Sequence, residues 1–192
     1  MAEDAGLTPE ASEPQYLQVR GFPVVVENTR PDIRTADVVE RLDEALGLIM
    51  SAQPWRLRHL RRDLRCFWIV RYACRGAYFP DDRACMTELT FLNRRDITAA
   101  PVAASIIHEG IHARVDRMGV RRDGRDRARE EWLCRRAELE FGLSLDPSLG
   151  APVVERALAS LQLSDTDVAP DVDWTEAQRR VDEVDRGARG GG

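Results

Sequence analysis

The stretch "DITAAPVAASIIHEGIHARVDRM" (residues 96–118) constrains the fold more than any other part of the chain. It reads as one helix, with Thr98 as N-cap, Pro101 in the first turn where a missing N–H is tolerated, and Gly119 as the C-terminal stop. Into its second half it sets His108, Glu109 and His112, which include two of the chain's three histidines. Residues four apart on a helix differ by about 40° in direction, so His108 and His112 project from one face, one turn apart. Glu109 lies about 100° round from His108. The fold must leave room beside this helix for two imidazoles and a carboxylate.

That spacing suits a metal ion. Zinc accepts two imidazoles plus a carboxylate and keeps a fourth position for water, whose pKa it lowers to about 7. Glu109 stands close enough to act on such a water as a base. A third ligand has to come from elsewhere, and the following helix, "RAREEWLCRRAELEFGLSL" (127–145), offers Glu130, Glu131, Cys134 and Glu138. An antiparallel pair, climbing about 9 Å beyond His112 and about 12 Å back to Glu131, returns Glu131 to the level of His112. Glu130 points more centrally into the stripe of Leu133, Cys134, Ala137 and Phe141, so helical phase alone leaves both open.

The rest of the chain reads as α+β. "YLQVRGFPVVVEN" (16–28), "CFWIVRYAC" (66–74) and "ACMTELTFL" (84–92) have the β-branched and aromatic content of strands, the first marked as an edge or bulge by Gly21 and Pro23. The turn residues of "RGAYFPDDR" suggest that the last two pair antiparallel, giving a small, mostly antiparallel sheet on the active-looking helix. Thr35 is placed to cap a core helix with Val38, Val39, Leu42, Leu46 and Ile49 at helical spacing. "RLRHLRRDLR" (56–65) reads as amphipathic with a solvated arginine face. "PVVERALASLQL" and, capped by Asp173, "WTEAQRRVDEV" read as further short helices. This divides the chain into an acidic, disordered tail (1–15), a domain (16–165) and an extension (166–192) ending in the disordered "RGARGGG".

A formal net charge of -5 argues against a surface that neutralises phosphates, so nucleic acid is not an expected partner. All the basic residues are Arg, which GC-rich codons alone would produce. The N-terminus lacks the basic and apolar regions of a signal peptide, and no apolar run approaches the roughly 20 residues that span a bilayer. A cytoplasmic protein that does not engage membranes is the simplest expectation. Cys66, Cys74, Cys85 and Cys134 would then be reduced core residues and not a disulfide framework.

His108-Glu109-Gly110-Ile111-His112, followed after eighteen intervening residues by Glu131, resembles the gluzincin metallopeptidases, in which H-E-x-x-H and a glutamate on the next helix bind zinc. The forty or so residues from His108 also resemble the zinc-motif region of small bacterial zincin-like proteins, where a glutamate three residues before a cysteine follows the histidines; Glu131 and Cys134 match. The resemblance implies a minimal zincin-like domain with Zn²⁺ on His108, His112 and Glu131, and Glu109 as catalytic base. It implies a sheet edge strand, expected at 84–92, that pairs with an extended peptide or protein substrate. Tyr78, Tyr72 and His59 are the candidates for an oxyanion helper, and Asp116 for orienting a ligand histidine.

The expectation is a zinc metallopeptidase-like hydrolase of peptide or amide bonds. Two alternatives remain: a zinc-binding regulatory protein without turnover, and a zinc enzyme that modifies a peptide or small molecule. Cys134 as ligand in place of Glu131 would favour the former, since structural sites are richer in cysteine. Trp132 is expected to pack the second helix on the body, and the remaining "EEWLCRRAELE" charges to support it on a solvated face.

Overall fold

A computed structural model describes residues 13–119, 127–170 and 172–189. The run at 16–28 is two strands, β1 (Gln15–Val19) and β2 (Phe22–Glu27), not one. They pair antiparallel with Val19 opposite Phe22, leaving Arg20 and Gly21 as a two-residue turn, both at positive φ (48° and 79°). Mirror-image turns of this kind follow the twist of the flanking strands, and Gly21 enters the left-handed region at no steric cost.

After the hairpin come α1 (Thr35–Ala52) and α2 (Pro54–Asp63). Thr35 is the first helical residue of α1 and not its cap, a position held by Arg34. In α1, Val38, Leu42, Ala45, Leu46 and Ile49 are fully buried, and α2 buries Leu57 and Leu60 while Arg58, Arg61 and Arg62 face solvent. Both apolar stripes are those the helical periodicity predicts.

Three more strands complete the sheet: β3 (Cys66–Val70), β4 (Gly76–Phe79) and β5 (Ala84–Glu88). Their order is β1-β2-β3-β5-β4. The β2–β3 and β3–β5 pairs are parallel, and the β1–β2 and β4–β5 pairs antiparallel, so the sheet is mixed and not mostly antiparallel. The physical reason is β4: residues read as a turn form a strand of their own, which lets β5 return alongside β3 in the same direction. β5, expected at the edge, is buried at all five residues and lies between β3 and β4, so the edges are β1 and, on the α4 side, β4.

Past the short α3 (Leu89–Asn93), α4 (Ala100–Arg117) runs through the centre of the fold, touching α1, α2, β4, β5 and the two helices that follow. Pro101 in the first turn and Gly119 (φ 69°) at the end stand as the sequence predicts, but the cap is Ala99 and not Thr98, which lies one residue earlier and accepts from Ala100 N through Oγ1 at 3.3 Å. Gly110 is where α2 crosses: a Cβ there would meet Leu60 Cδ2 at 2.4 Å.

The "GVRRDGRD" turn lies largely outside the described residues. Beyond it, α5 (Arg127–Ser144) and α6 (Pro147–Ser160) pack on α4, with Asp146 capping α6 through Ser148 N. The extension contains α7 (Asp165–Val168) and α8 (Trp174–Arg189), the latter capped by Asp173 and carried past the expected end into "RGAR". Asp185 fixes α8 to the body: it is buried, accepting from Arg30 Nη1 at 3.0 Å and Arg71 Nε at 2.9 Å. The extension therefore packs on the domain. Among the described residues no helix is long and apolar enough to cross a membrane.

Candidate metal centre

α4 turns one side to α5 and β4, and on that side it carries His108, Glu109, His112 and Asp116, while Arg114 turns to Asp63 of α2. His108 and Glu109 are buried and His112 nearly so, with the two imidazole centroids 5.0 Å apart. Each ring is held through Nδ1. Glu138 Oε1 lies 2.6 Å from His108 Nδ1, and Glu130 Oε1 lies 2.6 Å from His112 Nδ1. An ionised carboxylate can only accept, so each Nδ1 carries the proton and donates it. That leaves both Nε2 atoms for another task, and they converge on Glu131: Oε2 is 3.3 Å from His108 Nε2 and Oε1 is 3.4 Å from His112 Nε2. Cys134, buried one turn along α5, brings Sγ to 3.6 Å from His112 Nε2.

His108, His112 and Cys134 have ligand atoms within 4.8 Å of one another, a largely buried group that could hold a metal ion. Glu131 stands between the same two imidazoles. The structure thus brings together His108, Glu109, His112 and Glu131 as the sequence suggested, and gives Glu130 and Glu138 a different task. They orient the histidines, an arrangement typical of metal-bound imidazole. For these two the reading of the α5 charges as a solvated face fails, since both are buried, while Arg136 and Glu140 are exposed as that reading expects. The same arrangement removes Asp116 from the orienting role, because Asp116 Oδ2 accepts from Tyr78 OH at 2.9 Å. The sequence places the two glutamates eight apart, flanking Glu131 and Cys134 on one helical face, but that spacing is equally that of an exposed ladder and does not assign the role.

The electrostatics follow from this crowding. Burial opposes charge on His108, but the Glu131 and Glu138 carboxylates more than offset it and raise its pKa to about 10. His112 is likewise raised against burial, by Cys134, Glu130 and Glu131. Glu131 is held well below the usual carboxylate range, its desolvation outweighed by both imidazoles. Glu109 goes the other way, because burial raises its carboxyl more than the histidines lower it.

These groups open on a cleft of about 580 Å³. β4 forms one wall, α4 and α5 the floor, and Val168, Ala169, Pro170, Val172 and Trp174 of the C-terminal segment another wall. β4 can lie this close because residue 76 is glycine: a Cβ there would meet Ser105 Oγ at 2.8 Å and Glu109 Oε1 at 3.2 Å. Of the suggested oxyanion helpers, Tyr78 lines the cleft. Tyr72 packs on Phe79 and Trp174, and His59 belongs to a separate small hollow with Leu60, Ile107 and Gly110. Trp132 reaches the extension, donating from Nε1 to Asp165 Oδ1 at 3.1 Å.

No family model, no curated protein and no solved structure matches the chain. The functional reading therefore rests on the site itself.

Proposed function

We propose that this protein is a zinc-dependent hydrolase that cleaves a peptide or amide bond, with His108, His112 and Glu131 holding the metal. The observation that carries this is the separation of the ligand atoms. Zinc bonds of about 2.0–2.1 Å to nitrogen and oxygen and about 2.3 Å to sulfur give tetrahedron edges of roughly 3.3 Å between N and O and roughly 3.6 Å between N and S. The two Nε2 atoms lie 3.3 and 3.4 Å from Glu131 oxygens, and Cys134 Sγ 3.6 Å from His112 Nε2. The donor set fits zinc, and the carboxylates on both Nδ1 atoms hold the imidazoles in the tautomer that ligation needs.

When bound, zinc would supply an acidic water and polarise the carbonyl under attack. Glu109, buried one residue from His108 and against Gly76, is the group suited to take a proton from that water and return it to the leaving amine. Tyr78 lines the same cleft, but its hydroxyl proton is donated to Asp116, so it would serve a developing oxyanion only by exchanging that bond for one to the substrate. β4, with β5 on one side and no strand on the other among the described residues, offers its free backbone groups to an extended chain.

One observation favours a second reading. If Cys134 completes the tetrahedron, no position remains for water, and the protein holds zinc in a regulatory or structural role. Elemental analysis of wild type beside His112→Ala, Glu131→Ala and Cys134→Ala, followed by peptide hydrolysis with Glu109→Gln as control, separates the two. The hydrolase reading expects about one zinc per chain, lost in the His112 and Glu131 variants and kept in the Cys134 variant. It also expects turnover that Glu109→Gln abolishes. Zinc lost with Cys134→Ala and no turnover in wild type would establish the regulatory reading, and no metal even after reconstitution would sink both.

A further inference from the structure

The cleft has a positive wall that the proposed chemistry does not use. Arg75 at the entry to β4, Arg135 on α5 and Arg156 on α6 all line it. Burial, which Glu138 only partly offsets, holds the Arg156 guanidinium below the usual arginine range, and repulsion from Arg135 and Arg75 lowers it further. The nearby carboxylate is already engaged: Glu138 Oε1 accepts both from His108 Nδ1 at 2.6 Å and from Arg135 Nη1 at 2.7 Å. Among the described residues no carboxylate hydrogen-bonds to Arg75 or Arg156, and Arg135 Nε is buried with no partner. Arg75 stacks over the Phe91 ring at 5.4 Å, a contact that uses its face and leaves its N–H donors free. Like charges gathered in a half-buried wall are costly unless an anion joins them, and planar guanidinium forks match carboxylate oxygens in pairs.

The wall also has a direction. β4 begins at Gly76, against Ser105 and Glu109, and runs to Tyr78, whose hydroxyl meets Asp116 two turns further along α4. A peptide added to this edge in the commoner antiparallel sense would point its C-terminal end toward Arg75.

We propose that Arg75, Arg135 and Arg156 form a carboxylate-binding subsite, and that the cleft takes a peptide bearing an acidic group on the C-terminal side of the bond to be cut, a specificity that rests on the peptide-hydrolase reading. The acidic group could be a terminal carboxylate or an acidic side chain, and binding distinguishes them. Four probes are titrated calorimetrically into zinc-loaded Glu109→Gln protein: acetyl-tetraalanine with a free carboxylate, its C-terminal amide, acetyl-trialanyl-aspartic acid amide, and succinate. One or both acidic peptides should bind about tenfold or more tightly than the neutral amide, the scale of a charge-assisted hydrogen bond. Adding Arg75→Gln, an exposed position that does not threaten the fold, together with Arg156→Gln should remove that preference while zinc content stays the same. Arg156→Lys should restore part of it.

Preference for the free carboxylate alone would mark a terminal-carboxylate pocket, and for the aspartyl peptide an acidic side-chain pocket. Equal binding of all three peptides, or a preference that survives the arginine changes, would overturn the subsite. Succinate binding that depends on the arginines, with no binding of any peptide, would keep the anion site and remove the peptide reading; failure of succinate and peptides alike would remove both.

Discussion

The two sides of α4 are built from opposite materials. Toward α1, α2 and the sheet it presents Val102, Ala103, Ile106, Ile107 and Ala113, all at most 2% exposed, with Gly110 admitting Leu60. Toward α5 and β4 it presents His108, Glu109 and His112, each contacted by groups that are themselves charged. One side supplies transfer free energy and close packing, while the other spends part of it to keep ionisable groups out of water. A single helix thus separates what holds the protein together from what it does, and substitutions on its two sides should fail in different ways.

The largest effect should come from the ligand side. His108→Ala or His112→Ala should abolish stoichiometric zinc in elemental analysis and leave a cooperative unfolding transition. Loss of folded protein in both variants would mean that the two sides are not separable. Ile107→Ala, on the apolar side, should cost about 2–5 kcal/mol in denaturant unfolding while the folded fraction still takes up zinc. Between these extremes stand the carboxylates on Nδ1. Glu138→Gln or Glu130→Gln should weaken zinc about 10–100-fold in a chelator competition; an unchanged affinity would show that the imidazoles need no such orientation.

Unit for unit, the most gradual effect is set by pH. His108, raised to about 10, must lose a proton to ligate, so zinc affinity should strengthen as pH rises from 6.5 toward 10, by up to about tenfold per unit for each proton released. Conversely, in chelator-treated protein the same elevated imidazole stabilises the fold fully below its unfolded pKa near 6.5, and that contribution fades as pH rises through about 10. A zinc affinity independent of pH would contradict ligation by either histidine.

The same contrast explains what the sequence revealed. α4 was legible because its apolar residues, Pro101, Gly119 and the two histidines all follow helical rules that need no tertiary knowledge. Helix rise brought Glu131 to the level of His112, but it was the resemblance to the gluzincins that chose Glu131 over Glu130. The roles of Glu130 and Glu138 were not legible, since an exposed Glu–Arg ladder and a buried carboxylate bonded to a ring nitrogen have the same spacing along a helix. β4 was missed for a related reason. "GAYF" is four residues between turn signals, and only its partner β5 makes it a strand. With β4 hidden, the parallel arrangement of β3 and β5 could not be anticipated, and the edge was assigned to the wrong strand.

The wall contributed by Val168, Ala169, Pro170, Val172 and Trp174 has a consequence for synthesis of the chain. Both helices of the metal centre and the whole sheet are complete by Ser144, so they can assemble while later residues are still inside the ribosome. The cleft closes only when the following segment emerges and Asp185 reaches Arg30 and Arg71. Until then the nascent protein has its imidazoles, its carboxylates and the free edge of β4, but nothing opposite them to retain a chain. Retention of a chain in the cleft thereby waits on the segment from Val168 to Asp185, which is made after the elements that carry the imidazoles and carboxylates.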